Sequence, residues 1–299
     1  AEALARLDGL RRRVLRSGGA RMFIAGPQAM RESLAPRIEA FAARLDAAPW
    51  SAIWHGSEPL IDARLRSREP EAMPLYVGLH APNKQGGVIM TSLPSAHYAD
   101  FADKQAQLDF LAARLHGGAA PHSAFSRTVG AGLAYSNGMR GSVSSGRVGY
   151  YAERTPELPQ TVRFAIGVLK ETRPDPWFGE YVMALTFSES RASGTYEARA
   201  EGIANDLADG QTPEQVRRFR ASLLELRKDP KLAAKLFERK DRVYGAIVPG
   251  YDSKPNTGAG AVYFAIGPDK QLDAWDQYLR TTAAKGSRLY KLYGRDFWM

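Results

Sequence analysis

The nitrogen and sulfur side chains that bind catalytic zinc are few in this sequence. It has no cysteine and five histidines, so a metal site would need imidazole and carboxylate ligands. Zinc peptidases commonly place two histidines one helical turn apart, with an acidic residue close by. No histidine here has that spacing, and His116 and His122 flank a glycine-rich bend. The histidines are His55, His80, His97, His116 and His122. We expect no metal in this chain and interpret the histidines as surface or hydrogen-bonded side chains.

Three pairs of glycines resemble parts of phosphate-binding loops. They are Gly117-Gly118, Gly130-x-Gly132 and Gly258-x-Gly260. A dinucleotide-binding loop follows a strand, opens a helix and is followed by an acidic residue on the next strand. None of the three has this context, so we interpret each as a tight turn.

Composition and charge limit the class of protein. The 299 residues are 44% hydrophobic and carry a net charge of +9, but Lys and Arg are spread among acidic residues. The densest cluster, Arg11–Arg13, alternates with leucines at helical spacing, as on the solvated face of a helix. The apolar run Gly260–Gly267 is far shorter than the roughly 20 residues that cross a bilayer. We expect neither nucleic acid nor membrane as a partner.

Hydrophobic periodicity predicts short strands among amphipathic helices. Helices are expected at residues 4–15 and 30–45, on either side of a strand at Arg21–Pro27. Pro74–His80 and Gly87–Leu93 predict two strands that pair antiparallel across a turn. Thr212-Pro213-Glu214-Gln215 is a capping box that opens a helix. Further strands are predicted at 133–140, 147–154 and 261–267. These elements predict an α+β fold.

Two observations predict the domain organisation. Residues 47–73 form a polar, proline-containing stretch, longer than most loops within a domain, so we expect a linker there. In addition, Met22–Pro27 recurs as Tyr263–Pro268, with the glycines 267 − 26 = 241 residues apart and a helix after each copy. We expect residues 1–46 to be the tail of one α+β domain and residues 74–299 to be a complete second domain.

The segment Leu115–Ser136 carries a family resemblance. It has a helix end in Leu-x-Gly-Gly, then an Arg on a short helix, and then Gly-Leu-Ala-Tyr-Ser at the start of a strand. This order resembles the carboxy-terminal half of the pitrilysin/insulinase-type zinc metallopeptidases, the inverzincins. The likeness covers residues 74–299, and residues 4–45 resemble the end of the preceding domain.

The resemblance implies a fold and separate roles for the two halves of the enzyme. Family domains have an antiparallel sheet with helices packed on one face, and two halves close around a chamber. The amino-terminal half supplies zinc through His-x-x-Glu-His, which is absent here. The chain would then be a carboxy-terminal, substrate-binding part, inactive alone and with no cofactor of its own. Its partners would be an unstructured peptide and an amino-terminal half or subunit that carries the zinc.

The resemblance also assigns site residues. Arg127 would hold substrate carbonyl groups and Tyr135 would donate its hydroxyl proton to the oxyanion. The two lie 135 − 127 = 8 residues apart, where the family often has one residue fewer. Either a bulge within Thr128–Ala131 restores the geometry, or another residue, with Arg140 in reserve, is the partner of Tyr135.

Three functions remain open from the sequence. The first is the substrate-binding part of an active metallopeptidase, and the second is an inactive relative that acts as a scaffold or peptide-binding partner. The third is an unrelated basic nucleic-acid-binding protein, against which the absence of a basic strand with stacking aromatics argues. The compartment, cytoplasmic or periplasmic, is left open.

Overall fold

A computed structural model describes residues 2–16, 18, 22–45, 47, 75–117, 124–189, 194–252, 261–283 and 287–297. By its contacts the chain divides into two compact units. The first is Ala1–Asp62 with Ala192–Gly210, and the second is Ala63–Arg191 with Gln211–Met299. Apart from residue 47, the predicted linker lies outside the described residues. The proposed domain boundaries therefore stay a prediction.

The described residues form ten helices and six strands. The helices are α1 (Glu2–Val14), α2 (Gln28–Ala42), α3 (Lys104–Ala113), α4 (Ser126–Gly130), α5 (Leu158–Glu171), α6 (Pro176–Glu189), α7 (Tyr196–Ala208), α8 (Pro213–Arg227), α9 (Leu232–Ile247) and α10 (Asp269–Thr282). The strands are β1 (Leu75–His80), β2 (Gly87–Pro94), β3 (Ser136–Ser142), β4 (Arg147–Thr155), β5 (Val262–Gly267) and β6 (Leu289–Leu292). Short 3-10 helices occur at Tyr98–Asp100 and Gly294–Phe297.

The first unit contains α1, α2 and α7 and has little core among its described residues. Neither α2 nor α7 has a buried residue. The strand predicted at Arg21–Pro27 is wrong for the described residues 22–27, which are irregular. Met22 and Phe23 are largely exposed there. An isolated extended segment has no neighbour for its backbone hydrogen bonds, so the apolar run alone does not make a strand.

The second unit is built on one six-stranded sheet with the order β3-β4-β2-β5-β1-β6. The pairs β2–β4, β2–β5 and β3–β4 are antiparallel, whereas β1 runs parallel to both β5 and β6. The predicted α+β fold is confirmed, and its sheet is mixed. The expected pairing of β1 with β2 is wrong, because β5, from the far end of the chain, lies between them.

One face of the sheet carries the helices and the main core. Strand side chains alternate between faces, so Ile89, Tyr150 and Ala265 are almost wholly buried in the cluster that includes α3, α5, α9 and α10 side chains. For the described residues, the opposite face, here called the open face, has a small buried cluster of Val77 and Leu292. Thr212 and Gln215 form the predicted capping box at the start of α8.

Candidate functional site

The β3–β4 hairpin places one of the predicted site residues, Arg140, on the open face. Its register pairs Gly138 with Tyr151 and Arg140 with Gly149. Tyr150 points into the core, so its neighbour Tyr151 points the other way. Arg140 lies on the same face, with its guanidinium carbon 3.7 Å from the centre of the Tyr151 ring. The hairpin therefore displays aromatic and cationic side chains side by side.

Tyr135 lies immediately before β3 and is 69% exposed. Its backbone N–H donates to the carbonyl of Glu153 at 3.0 Å, which ties the residue to β4. The side chain is not part of the core. Its ring contacts a guanidinium instead, because the guanidinium carbon of Arg154 lies 4.7 Å from the ring centre. A cation over a ring contributes about 0.5–1 kcal/mol at an exposed position.

Arg154 lies in a β-bulge and has an unusual backbone conformation. Gly87 pairs with Thr155 and Val88 with Glu153, so Arg154 is the extra residue of a β-bulge. Its φ is 51°, in the left-handed region, which costs a residue with a side chain about 1–2 kcal/mol. A Cβ on Gly86 would come within 2.8 Å of the Arg154 backbone, so the glycine makes room for the bulge. Sequence reasoning missed Arg154, because no local pattern marks the bulge.

Arg127 lies on α4 and has a different partner. Its Nη1 lies 3.1 Å from Oε2 of Glu171, and both side chains are exposed. No hydrogen bond, ion pair or ring contact joins Arg127 to Tyr135 in the described part of the chain. Between Arg127 and Tyr135 the helix ends at Gly130, and Gly132 has a φ of 70°. The role of Arg127 stays a prediction, and Arg154 contacts Tyr135.

Arg140, the reserve candidate, contacts a different tyrosine. It lies over Tyr151, and its Nη2 is 3.7 Å from Oε1 of Glu153. Arg140 therefore lies over Tyr151, whereas Arg154 lies over Tyr135. Each pair combines a guanidinium with an aromatic ring, which suits recognition of backbone carbonyls and carboxylates.

The described histidines, His80, His97 and His116, each contact other parts of the fold. His97 accepts from the Ala99 N–H and caps the short helix that follows it, and His80 lies 3.2 Å from the Asp269 carboxylate. His116 is fully buried against Phe178, Phe237 and Tyr244, and neither ring nitrogen has a hydrogen-bond partner among the residues that the structure describes. The expectation of a surface or hydrogen-bonded histidine is wrong for His116, because tertiary packing encloses the end of α3.

Burial changes the chemistry of His116. Removal from water, and then the nearby ammonium of Lys240, lower its pKa from 6.5 to about 4. Within the described residues, no group of three or more histidine and acidic side chains is placed to ligate one metal. His55 and His122 lie outside those residues. The helices that are described include none with the length and apolar character of a membrane span.

Comparisons with known proteins give structural neighbours only. No family profile matches the sequence, and no curated protein matches it. Pitrilysin aligns at 11% identity and a TM-score of 0.41 over 90% of this chain and 29% of its own. The first half of the periplasmic protease PqqL from Escherichia coli aligns at 12% identity and 0.42, covering 85% and 55%. The longer PqqL structure aligns at 12% and 0.43, covering 85% and 28%. The chain thus spans between about a quarter and just over half of these proteins.

Proposed function

We propose that this chain is the substrate-binding, carboxy-terminal part of a pitrilysin-like zinc metalloendopeptidase and binds extended peptide on the β3–β4 hairpin. The observation that carries the proposal is Tyr135, which is exposed at the start of β3 under the guanidinium of Arg154. The pattern of residues 115–136 supports the family assignment. The zinc comes from an amino-terminal half or a partner chain.

In this proposal, each side chain has a separate role. The Tyr135 hydroxyl would donate a hydrogen bond to the oxygen of the scissile peptide as negative charge develops there. The zinc, held by the other half or a partner chain, would supply the activated water. Arg154 orients the Tyr135 ring through the cation–π contact and is a positioning residue. Arg140 binds acceptor groups further along the peptide, and Arg127 binds substrate carbonyls once the complex has closed.

The strained backbone at Arg154 also supports a functional role for its contact with Tyr135. Left-handed backbone at a residue with a side chain persists only where the surroundings enforce it, and such positions cluster at functional sites. Here the bulge aims a guanidinium at the one exposed tyrosine that the sequence pattern selects. A role in packing alone would not need this arrangement, because neither side chain lies in the core.

The test uses the complete protein or complex that carries the zinc site, with a quenched unstructured peptide as substrate. Tyr135→Phe keeps the ring and its contact with Arg154 but removes the donor, so we expect kcat to fall about 100-fold with KM nearly unchanged. Tyr196→Phe is the matched control, because Tyr196 is 85% exposed and also has an arginine, Arg199, near its ring. Full activity of Tyr135→Phe would refute the oxyanion role.

A second measurement separates the alternatives. The isolated chain should contain no stoichiometric zinc, should cleave nothing, and should bind a fluorescent unstructured peptide. Peptide binding without cleavage in the zinc-containing complex would identify the inactive scaffold instead. Preference for single-stranded nucleic acid over peptide would overturn the proposal altogether.

A further inference from the structure

Residues 22–27 and the helix α2 after them have the same local geometry as β5 and α10. The offset is 268 − 27 = 241 residues, and each helix begins directly after a Gly-Pro pair, α2 at Gln28 and α10 at Asp269. Pro27 has φ −53° and ψ 148°, and Pro268 has φ −68° and ψ 163°. The carbonyl of each proline accepts from the N–H four residues later at 3.1 Å. The sequence repeat is therefore also a repeat of local structure.

The neighbours of the two extended segments differ. β5 lies between two strands, antiparallel to β2 and parallel to β1, and its core-facing Tyr263 and Ala265 are 5% and 0% exposed. The residues 241 positions earlier, Met22 and Ile24, are 55% and 36% exposed. In the described part of the chain, residues 22–27 belong to no strand pair. They have the sequence of β5 without the two strands that flank it.

The helices differ in the same way. α10 buries Trp275 and Leu279 in the main core. The corresponding residues of α2, Leu34 and Ile38, are half-buried, and α2 has no buried residue. An amphipathic helix is stable when another layer covers its apolar stripe. α2 therefore needs a sheet beneath it, as α10 has.

The exposed apolar surface of this region is large enough for a stable interface. A large hydrophobic residue that is about half exposed contributes roughly 100 Å², so nine of them expose on the order of 900 Å². One partner contributes about 800 Å² to an interface of standard size. The nine residues, each between 36% and 72% exposed, are Leu4, Leu7, Leu10, Leu15, Met22, Phe23, Ile24, Met30 and Phe41.

We propose that residues 22–27 insert as a strand between two strands of the zinc-carrying part of the protein, whose sheet then packs against α2. Such an insertion gains main-chain hydrogen bonds on both sides of the strand. A second copy of this chain does not offer the position, because β5 already fills the place between its β1 and β2. The inference rests on the proposed function, which requires a partner, and identifies where that partner attaches.

Hydrogen exchange followed by mass spectrometry tests the insertion. The isolated chain is compared with the complete protein or complex that carries the zinc site. The amides of residues 22–26 should exchange at least about 100-fold more slowly in the complex, because an inserted strand has its N–H groups bonded. β5 is the internal control and should be protected in both samples. Equally fast exchange of residues 22–26 in both samples would overturn the proposal.

A charge in the inserted strand should prevent the protection. Ile24→Asp would place a carboxylate in the apolar layer between sheet and helix, so residues 22–26 should again exchange rapidly in the complex. Leu224→Asp is the matched control, because Leu224 is 44% exposed on α8, and it should leave the exchange slow. In the isolated chain both variants should keep the unfolding midpoint of the unmodified protein, since both side chains are exposed there.

The possible failures can be told apart. Fast exchange in a complex that still cleaves peptide and needs Tyr135 refutes the insertion and leaves the proposed function intact. Slow exchange in the isolated chain, together with a dimer in sedimentation velocity, means that a second copy covers the segment and refutes the proposed partner. Protection of residues 22–26 in a complete protein that neither binds nor cleaves peptide supports the insertion and refutes the proposed function.

Discussion

Tyr150 and Tyr151 are adjacent in β4 and differ in almost every property. Tyr150 is 1% exposed, and burial raises the pKa of its hydroxyl far above the ordinary value. Tyr151 is partly exposed on the open face and lies under the Arg140 guanidinium. They differ because successive side chains of a strand point to opposite faces of the sheet. Identical side chains therefore serve stability on the helix-covered face and are available for recognition on the other.

The same contrast holds between His116 and Tyr135. His116 is enclosed by rings from α6 and α9 and is held in its neutral form. Among the described residues, one guanidinium, that of Arg154, lies over the Tyr135 ring, and most of the side chain is exposed. Burial keeps groups such as His116 away from a ligand, whereas an exposed group such as Tyr135 can meet one. Three changes test this division.

The largest effect is expected from a matched pair of substitutions in β4. Tyr150→Ala removes a fully buried ring and should lower the free energy of unfolding by about 3–5 kcal/mol. Tyr151→Ala should lower it by less than about 1 kcal/mol. Urea unfolding followed by far-UV circular dichroism measures both. Similar losses for the two variants would mean that the open face is also part of the core.

Lowering the pH should reduce the free energy of unfolding, because His116 is buried in its neutral form. An unfolded histidine has a pKa near 6.5, and the folded value is about 4, so the unfolded chain binds the extra proton between these values. Stability is therefore lost as the pH falls from about 6.5 to about 4, and by pH 5 the loss is about 2 kcal/mol. Urea unfolding at pH 7 and pH 5 measures it.

His116→Phe is the control for this prediction, since phenylalanine fits among Phe178, Phe237 and Tyr244 without a titrating group. Between pH 7 and pH 5, the free energy of unfolding should fall by about 2 kcal/mol less for His116→Phe than for the unmodified chain. An identical pH dependence in both proteins would show that His116 is not the group responsible.

The smallest effect is expected at the β-bulge of Arg154. Arg154→Gly should raise the free energy of unfolding by about 1 kcal/mol relative to Arg154→Ala, because glycine adopts a φ of 51° without strain. Both variants lose the contact with Tyr135 and should bind peptide about threefold more weakly. Urea unfolding and anisotropy measure the two quantities. A peptide affinity that is unchanged in both would exclude Arg154 from the site.

Sequence patterns predicted the local elements of this fold better than their pairing. The Thr212 capping box and the strands β2 and β4 are found where the patterns put them, because caps and alternation depend on neighbouring residues. The β1–β2 pairing failed because β5 enters from residues 262–267. The repeat at Met22–Pro27 failed as a strand because, among the described residues, nothing pairs with it.

The candidate site was likewise predicted only in part from the sequence. The sequence by itself determined the α+β class and the amphipathic helices, since these depend on residue types and short spacings. Tyr135 was selected by the family resemblance of residues 115–136. Only the tertiary structure decided that Arg154 meets Tyr135, that Arg140 meets Tyr151 and that His116 is buried. Those contacts depend on which distant segments share a sheet, and the hydrogen bonds and apolar contacts that select the neighbours form only in the folded chain.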